Sequence, residues 1–205
     1  GHVEPRKSRI LFRYYSKQID MNLVSEIKKL ESFIPGFDHI SRGGLPEGRT
    51  TLISGSAGSA KTVFAAQFLV EGVIKNGENG VFVTFEESPE DIKRNMKGFG
   101  WDLSALEKEK KIAFVDASPQ PGEAPIIVGE FDLAGLLARI ESAVTKTGAK
   151  RVSLDSLGAI FTQFSDTSII RKELFNLASA LKKLKITAVM TAERTQEYGE
   201  IARFG

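Results

Sequence analysis

The sequence predicts an α/β fold: a mainly parallel sheet with helices on both faces. Three observations point to it. Five short apolar runs alternate with segments of helical period. One strand-to-helix junction, Gly55 to Thr62 (GSAGSAKT), is a loop of small residues closing on Lys-Thr. Two further apolar runs end directly on acids, Glu86-Glu87 and Asp155, where sheets of this kind bind their ligands.

Residues 1–20 carry Arg6, Lys7, Arg9, Arg13 and Lys17 against Glu4 and Asp20, mixed with Phe12, Tyr14 and Tyr15 without a clear period. With Met21 resembling a natural start, they read as a disordered or expression-derived leader, and 21–205 as one domain. Asn22 to Leu30 predicts a short helix. Phe33 to Gly48 is crowded with Gly and Pro and predicts a run of turns entering the first strand, from Thr50. Lys61 to about Asn76 follows as a helix that is apolar nearly all round except for Gln67, Glu71 and Lys75, the pattern of a buried helix, and Gly77 ends it. Val81 to Phe85 is the second strand. Ser88-Pro89-Glu90-Asp91 then starts a helix, with Ser at the N-cap, Pro at N1 and acids in the first turn.

Ile112 to Asp116 is the third strand. Ala117 to Glu130 is a long, acidic, Pro-rich loop of the kind that serves function inside compact domains. Asp132 caps the next helix, whose Leu133, Leu136, Leu137, Ile140 and Val144 share a face. Arg151 to Leu154 is the fourth strand, ending in Asp155-Ser156. The last helix, from near Thr167 to Leu184, aligns Ile170, Leu174, Leu177, Leu181 and Leu184, with a charged face opposite. Ile186 to Met190 is the fifth strand.

Composition bounds the function. Apolar residues make up 41% and charged residues 26%, an ordinary globular balance, and the absence of Cys removes disulfides, thiolate metal sites and thiol nucleophiles. That suits a cytoplasmic protein. No apolar run approaches the ~18 residues of a membrane span. The net charge is +2, and the excess sits in residues 1–20, so the body is near neutral and offers nucleic acid no electrostatic footprint. His2 and His39 are isolated, and Trp101 reads as core rather than as a stacking platform.

The small-residue loop carries the chemistry. Apart from one position it has the spacing G-x-x-x-x-G-K-[ST] of a phosphate-binding P-loop. Gly55, Ser56, Ala57, Gly58, Ser59 and Ala60 lack bulk, so backbone N–H groups can converge on a triphosphate at the positive end of the following helix. Lys61 would reach the β- and γ-phosphates, and the Thr62 hydroxyl would join the coordination of Mg²⁺. The departure is Ala60, where the motif has Gly; its methyl narrows the approach and disfavours positive φ. Asp155 closes an apolar strand as a magnesium-holding carboxylate does, and Glu86 and Glu87 are the acids best placed to orient a water attacking the γ-phosphate.

From Ile34 onward the sequence resembles the first ATPase domain of the KaiC circadian-clock family, within the RecA-like P-loop ATPases. The stretches that carry the likeness are PGFDHISRGGLPEGRTTLISG, GVFVTFEESPEDI, FGWDL, VDASP, RVSLDS, RKELF and TAERTQEYGEIARFG. The resemblance implies that Gly58, Ser59, Ala60, Lys61, Thr62 and Val63 contact ATP together with Gly55, that Thr62 and Asp155 serve Mg²⁺, and that Glu86 and Glu87 are catalytic. The family's adenine contact falls on Gly98, which has no side chain to offer. The resemblance also implies a homohexameric ring and a KaiB-like partner at the 117–130 loop. In the family, a segment following the last matched stretch supplies Lys and Arg to the neighbouring subunit's nucleotide; without it, the expectation is nucleotide binding with impaired turnover and weak ring formation. Two other readings are open: a nucleotide-gated interaction module in which ATP is structural, and a DNA-dependent recombinase-type ATPase.

Overall fold

The computed structural model describes residues 27–118, 133–158 and 167–193. Its main sheet has five strands, all parallel: β3 (Thr50–Gly55), β4 (Gly80–Thr84), β5 (Ile112–Asp116), β6 (Arg151–Asp155) and β7 (Thr187–Glu193), in spatial order β3-β7-β6-β4-β5. These are the five strands expected. A small antiparallel ribbon precedes them, β1 (Lys29–Leu30) with β2 (Leu45–Pro46).

Period-two alternation divides the sheet's side chains between two cores. Val81, Val83, Val152, Leu154, Ala188 and Met190 face one side, where they meet α5 (Leu133–Thr147) through Leu136, Ile140 and Val144 and α6 (Thr167–Lys183) through Leu177 and Leu181. Phe82, Ile112 and Val189 face the other, against α2 (Lys61–Asn76), α3 (Pro89–Met96) and α4 (Leu103–Lys108). The all-round apolar α2 is buried as its sequence requires: Ala65, Ala66, Phe68, Leu69 and Val70 are all within 1% of full burial. Ser153 points to the α2 side and donates its hydroxyl to the Ala65 carbonyl at 2.8 Å, seating the helix over β6.

The far end of the sheet is tied by Arg151. Its fully buried guanidinium donates to Glu78 Oε2, to the Phe68 carbonyl at 3.1 Å and to the Glu31 carbonyl at 2.9 Å, and it lies 4.8 Å from the Phe68 ring centroid. Burial lowers its pKa, against the pull of Glu78. This buried cation with a carboxylate and two carbonyls joins α2, β6 and the segment before the first helix.

Two expectations change. Asn22–Leu30 is not helical where it is described: Lys29 and Leu30 form β1, pairing with Pro46 and Leu45. Local helix propensity yields there to a tertiary pairing that Gly44 permits, since a Cβ on Gly44 would lie 2.1 Å from the Leu30 carbonyl oxygen. The turns between Phe33 and Gly48 also enclose a one-turn helix, α1 (Phe37–Ile40), steadied by Asp38, whose carboxylate accepts from Ser32 N at 3.0 Å and Phe33 N at 2.8 Å. The loop after Ser118, the proposed cap Asp132 and the termini lie outside the described residues. Among the described residues no helix is long and apolar enough to cross a membrane.

Candidate functional site

The candidate site is laid out along the carboxyl ends of the strands. β3 ends at Gly55 and the chain turns through Ser56 to Ala60 into the 16-residue helix α2. The loop packs closely over Gly55, where a Cβ would lie 2.3 Å from Ser59 Oγ and 3.1 Å from Ser59 Cβ. Gly58 takes φ +73°, the left-handed region that glycine enters freely. Ala60 takes φ +60° and ψ +27° as the N-cap of α2. The position that the motif gives to Gly is thus left-handed, and this chain fills it with a residue that carries a Cβ. The Lys61 ammonium folds back over the loop and donates to the carbonyls of Ser56 at 2.8 Å and Gly55 at 3.2 Å. Thr62 and Val63 begin α2 and are half-buried.

The acids gather at the ends of β4 and β6. Thr84 is in register with Asp155, and the Phe85 N–H continues the ladder to the Asp155 carbonyl at 3.0 Å, so Glu86 and Glu87 leave the sheet beside Asp155. β4 then feeds α3 on one face, while β6 leads toward α6 on the other. The helices that follow the two strands thus pack on opposite faces, which makes the ends of β4 and β6 a point where the chain direction switches. Asp155 is 6% exposed, and one of its oxygens, Oδ1, accepts from the Thr191 hydroxyl. The Asp155–Ser156 peptide is cis.

Glu86 and Glu87 take different partners, as neighbours at a strand end should. Glu86 Oε1 accepts from Ser156 Oγ at 3.2 Å; Glu87 Oε2 accepts from Asn95 Nδ2 at 3.5 Å. Burial pushes the Glu87 carboxyl above the usual range, and the negative charges of Asp155, Asp91 and Glu86 push it further. Thr84 Oγ1 donates to the Glu87 carbonyl at 2.5 Å, fixing the turn that carries both acids. Ser88 caps α3, its Oγ accepting from Asp91 N at 3.2 Å, so the cap read from sequence is present.

The fold therefore brings Glu86, Glu87 and Asp155 into one cluster, with the Gly55–Val63 loop at the same end of the sheet, three strands from the glutamates and two from Asp155. β7 stands between them: Ile53 of β3 is in register with Thr191, and Thr191 bonds to Asp155. Gly98 stands apart, exposed in the 3₁₀ turn Lys97–Phe99 past the end of α3, about 12 Å of helix beyond Ser88. Beside it Phe99 stacks on Trp101 with centroids 5.4 Å apart; Trp101 packs on the α2-side core, as expected, while Phe99 is exposed. Sequence reading missed Thr191 and Asn95. Thr191 follows the apolar run of β7 as Asp155 follows that of β6, so the same test of polar residues closing strands could have found it.

The donor set suits a small hard cation. Asp155 keeps an oxygen beyond the one held by Thr191, and Thr62 offers a hydroxyl at the head of α2; no group of three His, Cys, Asp or Glu that could hold a metal occurs among the described residues. Two protein oxygens are what Mg²⁺ takes when substrate phosphates and water fill its other positions.

The family profile described as "ATPase: KaiC" matches residues 30–205. Among similar proteins are the circadian clock protein KaiC3 of Synechocystis, 65% identical over 87% of this chain and 35% of its own length, and the circadian clock oscillator protein KaiC of Synechococcus elongatus, 52% identical over 87% of this chain and 34% of its own. The KaiC of Thermostichus vulcanus is 51% identical over 88% of this chain and 35% of its own length. The chain thus spans about a third of these relatives. With the five-stranded parallel sheet, the Gly55–Thr62 loop and the acids on the neighbouring strand ends, these matches place the chain in the KaiC ATPase family, as a RecA-like P-loop α/β domain.

Proposed function

We propose that residues 21–205 form an ATPase domain that binds Mg-ATP on the Gly55–Val63 loop and hydrolyses it slowly, with bound nucleotide promoting a homo-oligomer. The observation that carries the reading is the shared edge: a phosphate-type loop heading α2 and a carboxylate cluster across β7 from it. In this reading Lys61 leaves its loop carbonyls for the phosphates, and the loop N–H groups with the end of α2 hold the triphosphate. Thr62 and Asp155 would hold Mg²⁺, which when bound neutralises charge on the phosphates. The attacking water adds to the γ-phosphorus as the bond to the β-phosphate bridging oxygen breaks, and its proton passes to a carboxylate. Glu87, whose carboxyl is raised by burial and by the acids around it, takes the part of the base; Glu86, tied to Ser156, helps orient the water.

A hexameric ring, a KaiB-like partner at residues 117–130 and a place in a circadian-type timing system extend the reading from the family. The test is turnover of the E86Q and E87Q variants. E87Q should lose roughly 100-fold or more and E86Q less, with Mg-ATP binding kept in both. Wild-type turnover in both would remove Glu86 and Glu87 as the catalytic acids; Mg-ATP binding by the wild type with no turnover would leave ATP as a structural ligand of an interaction module, and stimulation by DNA would favour a recombinase-type ATPase instead.

A further inference from the structure

Thr191 is fully buried near the carboxyl end of β7, between the strand that delivers the loop and the strand that delivers Asp155. It grips the Asp155 segment twice. Its hydroxyl donates to Asp155 Oδ1, and its main-chain carbonyl accepts from the Leu157 N–H at 2.9 Å. The two bonds bracket Asp155, Ser156 and Leu157, so the carboxylate has its backbone and one of its oxygens fixed from the same residue. An ionised carboxylate offers only acceptors, so the Thr191 hydroxyl must be the donor, and its single proton is then committed. The alternative acceptor, the Leu154 carbonyl, is more distant at 3.4 Å.

We infer that Thr191 is a positioning residue for the metal-nucleotide site: by engaging Oδ1 it sets the rotamer of Asp155 and directs Oδ2 toward the cation and its waters. This rests on the reading of Asp155 given above. Partners that orient a metal-holding carboxylate are worth roughly 10- to 100-fold in metal affinity when lost. Thr191 touches neither nucleotide nor metal in this scheme and acts through Asp155 alone. That separates it from Lys61, whose loss should weaken nucleotide binding with or without Mg²⁺.

The experiment is a titration of the 205-residue chain with a fluorescent ATP analogue at a series of Mg²⁺ concentrations, for the wild type and for T191V, T191S and T191C. Valine keeps the volume and the main-chain bond to Leu157 and removes only the hydroxyl. The expected result is a Mg²⁺ requirement raised about tenfold or more in T191V, with affinity for the analogue in EDTA unchanged. T191S, which keeps the hydroxyl, should follow the wild type, and T191C should fall between. If T191V does not fold, T191C against T191S carries the same comparison. A Mg²⁺ requirement in T191V equal to wild type would overturn the inference and leave the nucleotide site standing, as would equal losses with and without Mg²⁺. Failure of the wild type itself to bind the analogue would instead remove the reading of the site on which the inference rests.

Discussion

Ala60 shows how one side chain can set the terms for a loop. Its left-handed backbone is forced by the geometry that turns β3 into α2, and an L-residue with a Cβ pays about 1 kcal/mol or more to stay there. Replacement by glycine relieves that strain but adds freedom to the unfolded chain, so Ala60→Gly should stabilise the protein by about 0.5 kcal/mol net, read as a higher denaturant midpoint at unchanged slope. A midpoint that falls would mean the Ala60 methyl makes contacts that outweigh its strain. Glu87 makes the second case at this scale. Its pKa is raised in the fold, first by burial and then by its acidic neighbours, so the native state binds its proton more tightly than the unfolded chain does. The stability this provides is fully present below the ordinary glutamate pKa and is lost as pH rises through the raised value. E87Q should therefore be more stable than wild type at neutral pH, and the gap should close as the solution is acidified past the ordinary glutamate range. A gap independent of pH would remove the electrostatic explanation.

Elements were legible where a single strong period or cap ruled. α2 runs over Lys61–Asn76 as its all-round apolar pattern and Gly77 require, β5 spans Ile112–Asp116 as read, and Ser88 caps α3. The helix expected over Asn22–Leu30 gives way at Lys29–Leu30 because β1 exists only through its pairing with β2, a contact across Gly44 that no local pattern announces. Arg151 was legible only as the first residue of a strand. That it reaches under α2 to Glu78, Phe68 and Glu31 follows from Gly72, where a Cβ would come within 2.4 Å of Arg151 Nε. Gly72→Ala should thus displace the guanidinium from its buried acceptors and cost about 3 kcal/mol, beyond the small gain in helix propensity that alanine brings elsewhere. Chemical denaturation measures it; a neutral or stabilising result would show that the guanidinium has room to move aside.

At the scale of the molecule, the strand order β3-β7-β6-β4-β5 determines which residues meet. Sequence could place the loop, the glutamates and Asp155 at the carboxyl ends of parallel strands because apolar runs end there. It could not say that β7 separates loop from acids, since strand order depends on which crossovers pack, and so Thr191 went unnoticed until Ile53, Thr191 and Asp155 were seen side by side. The relatives matched are about two and a half times as long as this chain, and the loop and the acids lie on the one sheet described. Everything proposed for that edge depends on the main chain from Gly55 to Thr62 receiving a triphosphate with Lys61 as its cation. Calorimetric titration of the folded protein with Mg-ATP measures this most directly. Saturable one-to-one binding that Lys61→Ala weakens at least tenfold is the result predicted, and no heat of binding from well-folded wild type, or binding indifferent to Lys61, would contradict it.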